Sequence, residues 1–205
     1  MAGVLGLLAA ALVVALGVSQ AGAVLLGVLG WLVALAARLP VLASAGRLHD
    51  ARRRETILAA ASGTTDEVVR LALVVAVVGG FGPALWAGFG WALAELVFLA
   101  ATQLTRFGWP IGERAVEQLK AQGGFVGTHP VHSGVRGVAA TSFSIGATLL
   151  LVAGPWWVVA TAFVHAAVNV AFARWAGRRL VSVELFGAVV GVGLVVAGLF
   201  GTGLS

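Results

Sequence analysis

Glu67, Arg70, Asp66, Glu95, His165 and Asn169 are polar or charged side chains inside stretches that are otherwise apolar. Carboxylates and imidazoles transfer protons and activate water, and an amide can donate to charge that develops on a carbonyl oxygen. Spacing says which of them can meet. Glu67 and Arg70 are three apart and Asp66 and Arg70 four apart, so either carboxylate can pair with Arg70 on one helix face. His165 and Asn169 are four apart and share a stripe, as do Trp91 and Glu95. One arginine cannot pair both Glu67 and Glu95, so one carboxylate is left for chemistry or for water. The structural alternative is a buried polar network that glues helices, with Arg70 neutralising one carboxylate. A charge at bilayer depth costs at least about 2.5–3.5 kcal/mol on insertion scales, and such residues mark a functional site by default.

Composition identifies the elements that must hold these residues. Of 205 residues, 60% are hydrophobic and 10% charged, and the mean hydropathy is +1.03. A soluble domain has roughly 45–50% apolar and about 25% charged residues, so a soluble domain, a disordered tail and a nucleic-acid module are excluded. The 29 glycines have no three-residue period, which excludes collagen. There is no cysteine, hence no disulfide, thiolate zinc site or cysteine nucleophile. What is left is an all-α polytopic bundle, one integral-membrane domain over residues 1–205, multi-pass in the cell membrane with the lipid bilayer as its surroundings.

About seven spans fit: 2–18, 21–41, 57–78, 83–104, 137–153, 155–173 and 181–200. Residues 2–18 follow no basic stretch, so they read as a retained span and not a signal peptide. Ser62-Gly63-Thr64-Thr65 interrupts the third span. A long polar segment lies between spans four and five, about 105–136, with an amphipathic helix at 113–120 and a loop at 123–134. Of the 13 Lys and Arg, all but Arg70 cluster in or around the loops after spans two, four and six. Arg38, Arg47 and Arg52–Arg54 make up the first of these loops. The excess of basic residues in alternate loops puts the N-terminus and the long loop in the cytoplasm. This distribution explains the net charge of +5 without a nucleic-acid partner. Trp109, Trp156, Trp157 and Trp175 suit an aromatic belt. Gly187 and Gly191 allow close helix approach, within the bundle or in a homo-oligomer. His129 and His132 form a His-Pro-Val-His string in the long loop, two ligands without a third. Glu184 opens the last span, with no role assigned.

The strings Thr65-Asp66-Glu67-Val68-Val69-Arg70, Gly88-Phe89-Gly90-Trp91-Ala92-Leu93-Ala94-Glu95 and His165-Ala166-Ala167-Val168-Asn169 resemble those of the YhfC-type intramembrane proteases. That group is similar to the PrsW and CAAX-processing (CPBP) families, and the likeness covers about residues 60–175. The resemblance implies that Glu67 activates water as general base with Arg70 orienting it, and that His165 and Asn169 stabilise charge at the scissile carbonyl. Glu95 closes the second motif. It also implies transmembrane or lipidated peptides as substrates. A metal is not fixed by it, but His165, Glu67 and Glu95 could supply the three ligands a catalytic zinc prefers. Three departures stand out: Trp91 and Phe143 occupy positions where the family has histidine, and Asp66 stands where it has glutamate.

Three functions follow as expectations. The first is an intramembrane peptidase with an altered site. The second is a catalytically inactive, protease-like scaffold or binding protein, its centre filled by Trp91 and Phe143. The third is a small transporter, for which the break at Ser62–Thr65 would be the sign.

Overall fold

The computed structural model describes residues 18–104 and 130–203, all of them in helices or the short turns between helices, with no strand among them. The elements are α1 (Val18–Ala37), α2 (Leu39–Ala45), α3 (Ala51–Val77), α4 (Phe81–Leu104), α5 (Pro130–Ala153) and α6 (Val158–Gly201), with a 3-10 turn at Pro155–Trp157. Four stretches are long and apolar enough to cross a membrane: Gln20–Ala45, Phe81–Leu99, Gly134–Ala153 and Pro155–Gly201. Residues 2–17 of the first expected span lie outside the described residues. So does most of the long polar segment, including 113–120 and His129.

Polarity runs opposite to that of a soluble protein. Leu29, Val75, Val97, Phe163 and Val189 point outward, each more than half exposed, whereas Glu67 and Arg70 are wholly buried. A continuous apolar exterior belongs in lipid, and charges that must be inside it turn toward the bundle.

α3 starts earlier than its apolar run because the Asp50 carboxylate caps it, accepting from the backbone nitrogens of Arg52 at 2.9 Å and Arg53 at 3.2 Å. It then continues unbroken through Ser62–Thr65. The Thr64 hydroxyl donates to the Ala60 carbonyl at 3.1 Å, which absorbs its polarity within the helix. The expected interruption is therefore absent, and with it the sign of a broken transport helix. Gly63 has a different use. A Cβ there would lie 2.7 Å from the Ala166 nitrogen and 2.8 Å from the His165 carbonyl carbon. Only glycine lets α3 and α6 approach this closely. Gly63→Ala should destabilise the fold by about 1–3 kcal/mol, the usual range for overpacking. Gly193→Ala, a site with nothing within 4 Å, should be neutral or stabilising in the same unfolding experiment.

The turn from α3 to α4 passes through Gly80 at φ 79°, a left-handed conformation that glycine adopts freely. α5 begins at Pro130, so the loop expected over 123–134 gives way to helix there. Proline suits a first helical position because its missing N–H is not needed. α6 is two arms. A straight helix of 44 residues would be roughly 66 Å long, yet Val158 and Leu199 pack on one apolar cluster around Leu149 and Leu151. The chain doubles back at Arg179, where the backbone leaves the helical region (φ −139°, ψ 49°). Both arms lie on α5. The second arm does so through Gly187 and Gly191: a Cβ at Gly191 would sit 2.8 Å from the Ala139 carbonyl oxygen, and Gly187 faces Ala139 and the Phe172 ring. The small face offered above for a homo-oligomer is thus occupied within one chain.

Candidate functional site

α3 carries two adjacent carboxylates that point different ways, since neighbours on a helix are about 100° apart. Asp66 turns to the junction of α1 and α2 and meets Arg38 in a two-pronged ion pair, Nε to Oδ1 at 3.1 Å and Nη2 to Oδ2 at 2.6 Å. Arg38 is therefore a buried partner and not part of a solvated basic loop. Glu67 turns to α6. Its Oε1 accepts from Arg70 Nη1 at 2.6 Å and from His165 Nδ1 at 2.9 Å. An ionised carboxylate can only accept, which puts the proton of His165 on Nδ1.

Arg70 is held from the other side by Trp91, whose ring centroid lies 4.4 Å from the guanidinium carbon. Taking two charges out of water costs several kcal/mol per ion and is offset only by good geometry. Here the ion pair, the imidazole and the indole face offset part of that cost, while Glu67 Oε2 and the Arg70 Nε and Nη2 atoms are buried without a hydrogen bond to the described residues. Trp91 lies buried beneath Arg70. The histidine that the resemblance leads one to expect there would not serve a permanent cation in the same way.

Beside this group is a cavity of about 140 Å³, bounded by α1, α3, α4, α5 and α6. His165, Asn169, Glu95, Asp66, Arg38 and Arg136 contribute its polar lining. Two contacts give it depth. Arg136 stacks over Phe172 at 5.2 Å, and seven residues deeper on each helix Phe143 lies against His165 at 4.4 Å. The outer layer is toward the end of the bundle that carries the arginine clusters, where Arg174 Nε donates to Thr56 Oγ1 at 2.9 Å. Phe143 lines the floor. Glu67 and Arg70 lie behind His165 and do not line the cavity.

His165, Glu95 and Asn169 are thus brought to one space, and Glu67 reaches it only through His165. Glu95 makes no hydrogen bond or ion pair to the described residues. The His165 Nε2 atom is likewise unengaged by them, so the imidazole is oriented on one side and available on the other. This arrangement does not fit the zinc set considered above. The Glu67 oxygen facing His165 already accepts from Arg70, the nitrogen facing it carries a proton, and Glu67 and Glu95 do not share a space. Among the described residues no three of His, Asp and Glu converge as a metal-binding group.

Some residues of the site were missed in the sequence. Arg38 and Arg136 read as loop cations because they flank apolar runs, although an arginine at the edge of a span can reach inward along its stem. Ser62 and Ser144 carried no signal, serine in an apolar helix being ordinary. His132, read as a loop residue, lies in the first turn of α5, and its Nδ1 donates to buried Glu184 at 2.7 Å. That ties α5 to the second arm of α6 and gives Glu184 a structural role. No family model, curated protein or solved structure matches the chain.

Proposed function

We propose that this chain is an intramembrane hydrolase that cuts peptide bonds in transmembrane or lipidated peptides, and that His165 is its proton-transfer group. The observation that carries the proposal is the cavity that His165 lines while Glu67 holds its Nδ1 at 2.9 Å. A carboxylate behind an imidazole fixes the tautomer and stabilises the imidazolium that forms when Nε2 takes a proton. Glu67 therefore acts as the orienting carboxylate, in place of the general base that the family resemblance implies. Arg70 and Trp91 position Glu67. Asn169, one turn from His165 and in the same cavity, offers an amide donor to a carbonyl oxygen. Glu95 is a second proton-transfer group within the same space. Seven spans, with the N-terminus and the cavity's outer layer cytoplasmic, accommodate the arginine clusters and the reversal at Arg179.

A second function is favoured by Phe143. Its ring covers one face of His165 at 4.4 Å, as a binding protein that has given up cleavage would have it. One experiment separates the two. The chain in lipid nanodiscs is incubated with single-span and prenylated peptides, and new termini are sought by mass spectrometry. Cleavage that disappears in His165→Gln is the expected result. Peptide retained on the chain without new termini would favour the binding protein, and cleavage unchanged in His165→Gln would remove His165 from the mechanism.

A further inference from the structure

We infer that Ser144 is the nucleophile of this site, so that Ser144, His165 and Glu67 form a relay and hydrolysis runs through an acyl-enzyme. The chemistry rests on the hydrolase proposal above. The assignment of the serine rests on separate observations.

A hydroxyl inside an apolar helix ordinarily returns its hydrogen bond to the carbonyl four residues earlier. Ser44, Thr56, Thr64, Thr148 and Thr202 do so, and Thr161 bonds three residues back to Val158. Ser62, Thr65, Thr141, Ser142 and Ser182 show no such bond to the described residues; among these last, only Ser62 is buried as Ser144 is. Ser144 does not return the bond either, although it is only 2% exposed, and it makes no side-chain hydrogen bond to the described residues. What it faces is the cavity. Its hydroxyl is not one of the sealed polar atoms of the bundle but opens on the cavity, where the open groups are His165, Glu95 and Asn169.

Position singles out His165. Arg136, Ala140 and Ser144 are four apart in turn and make one cavity stripe of α5, with Ser144 at its deep end. Phe143, its neighbour in the chain, touches the His165 ring. Helical side chains lean toward the N-terminus of their own helix. The first arm of α6 runs antiparallel to α5, so the His165 side chain leans toward the level of Ser144. Ser62 also lines the cavity without returning its hydroxyl bond, but it shares a face of α3 with Asp66, which is turned to Arg38. The face of α3 that meets His165 is that of Gly63 and Glu67.

The steps balance without any cofactor. Ser144 Oγ adds to the carbonyl carbon as its proton passes to His165 Nε2. The C–N bond then breaks, and His165 returns that proton to the leaving amine. Water, losing a proton to the same nitrogen, adds to the ester, and the carboxylic acid departs as Ser144 regains its hydrogen. Glu67 stays ionised throughout and holds the Nδ1 proton.

The test is covalent and does not require the natural substrate. An alkyl fluorophosphonate phosphonylates an activated serine with loss of fluoride. It is applied to the full chain in nanodiscs, and the adduct is mapped by mass spectrometry. We expect the adduct on Ser144, at least 100-fold slower in His165→Gln and unchanged in Ser182→Ala, an exposed serine of α6 away from the cavity. Peptide cleavage should fall at least 1,000-fold in Ser144→Ala, with the unfolding temperature unmoved. An adduct without any peptide cleavage would uphold the relay and remove the peptide as substrate. Undiminished cleavage in Ser144→Ala would overturn the relay and leave water as the nucleophile of a hydrolase that still stands. An adduct on Ser62 in place of Ser144 would overturn the assignment directly.

Discussion

Arg70→Met should destabilise the folded chain by about 3–5 kcal/mol, the usual cost of removing one partner from a buried ion pair. Glu67 is then a wholly buried carboxylate with no cation paired to it, facing only the His165 imidazole and the Thr161 hydroxyl. The loss should be largely recovered in the double variant Glu67→Leu/Arg70→Met. Apolar replacement of both partners of a buried pair is often neutral or stabilising, and the introduced thioether can lie on Trp91 where the guanidinium now lies 4.4 Å away. Reversible unfolding in mixed detergent micelles measures all three proteins. A double variant no more stable than Arg70→Met would show that the pair is not the source of the loss. The recovered double variant should be inactive, because nothing then holds the His165 tautomer. That would separate the electrostatics of folding from the electrostatics of function at one pair of residues.

His165→Gln should lower kcat for peptide cleavage by about 10⁴ or more, as expected when one member of an oriented base system is removed. It should leave stability within about 1 kcal/mol, since the Gln amide can still donate to Glu67. Glu67→Asp is the companion variant. It keeps the negative charge for Arg70 but shortens the side chain by one methylene, so the 2.9 Å bond to His165 is lost. A misplacement of about 1 Å near the chemistry costs on the order of 100-fold, and we expect a loss of that size with little change in KM. Combining the two changes should be no worse than His165→Gln alone, because residues that act as one unit are non-additive. Additive losses would mean that Glu67 acts independently of His165.

Much of the architecture was legible in the chain because bilayer physics constrains composition. Apolar runs near 20 residues, clustered arginines and the absence of cysteine were enough to indicate an all-helical, membrane-type bundle. The polar side chains inside those runs marked three of the five helices that line the cavity. Pairing on one helix was also partly legible. Glu67 with Arg70 follows from a spacing of three, and a spacing of four puts His165 and Asn169 on the same cavity-lining stripe.

Roles were not legible, because they depend on which way each residue faces across helices. Sequence spacing allowed Arg70 to take either Asp66 or Glu67. The tertiary fold brings Arg38, 28 positions earlier, to Asp66, and leaves Glu67 to Arg70. Spacing made Ser62–Thr65 a weakness in a helix, whereas packing makes Gly63 the point where α6 comes close enough for His165 to reach Glu67. Trp91 looked like a missing histidine and is the support under Arg70. Composition and periodicity report how each segment meets its solvent, and they therefore determined the elements and their polar stripes. Contacts between segments far apart in the chain depend on the angle and depth at which the helices cross. Only the tertiary structure could decide that Glu67 is sealed behind His165 and that His165 faces the cavity.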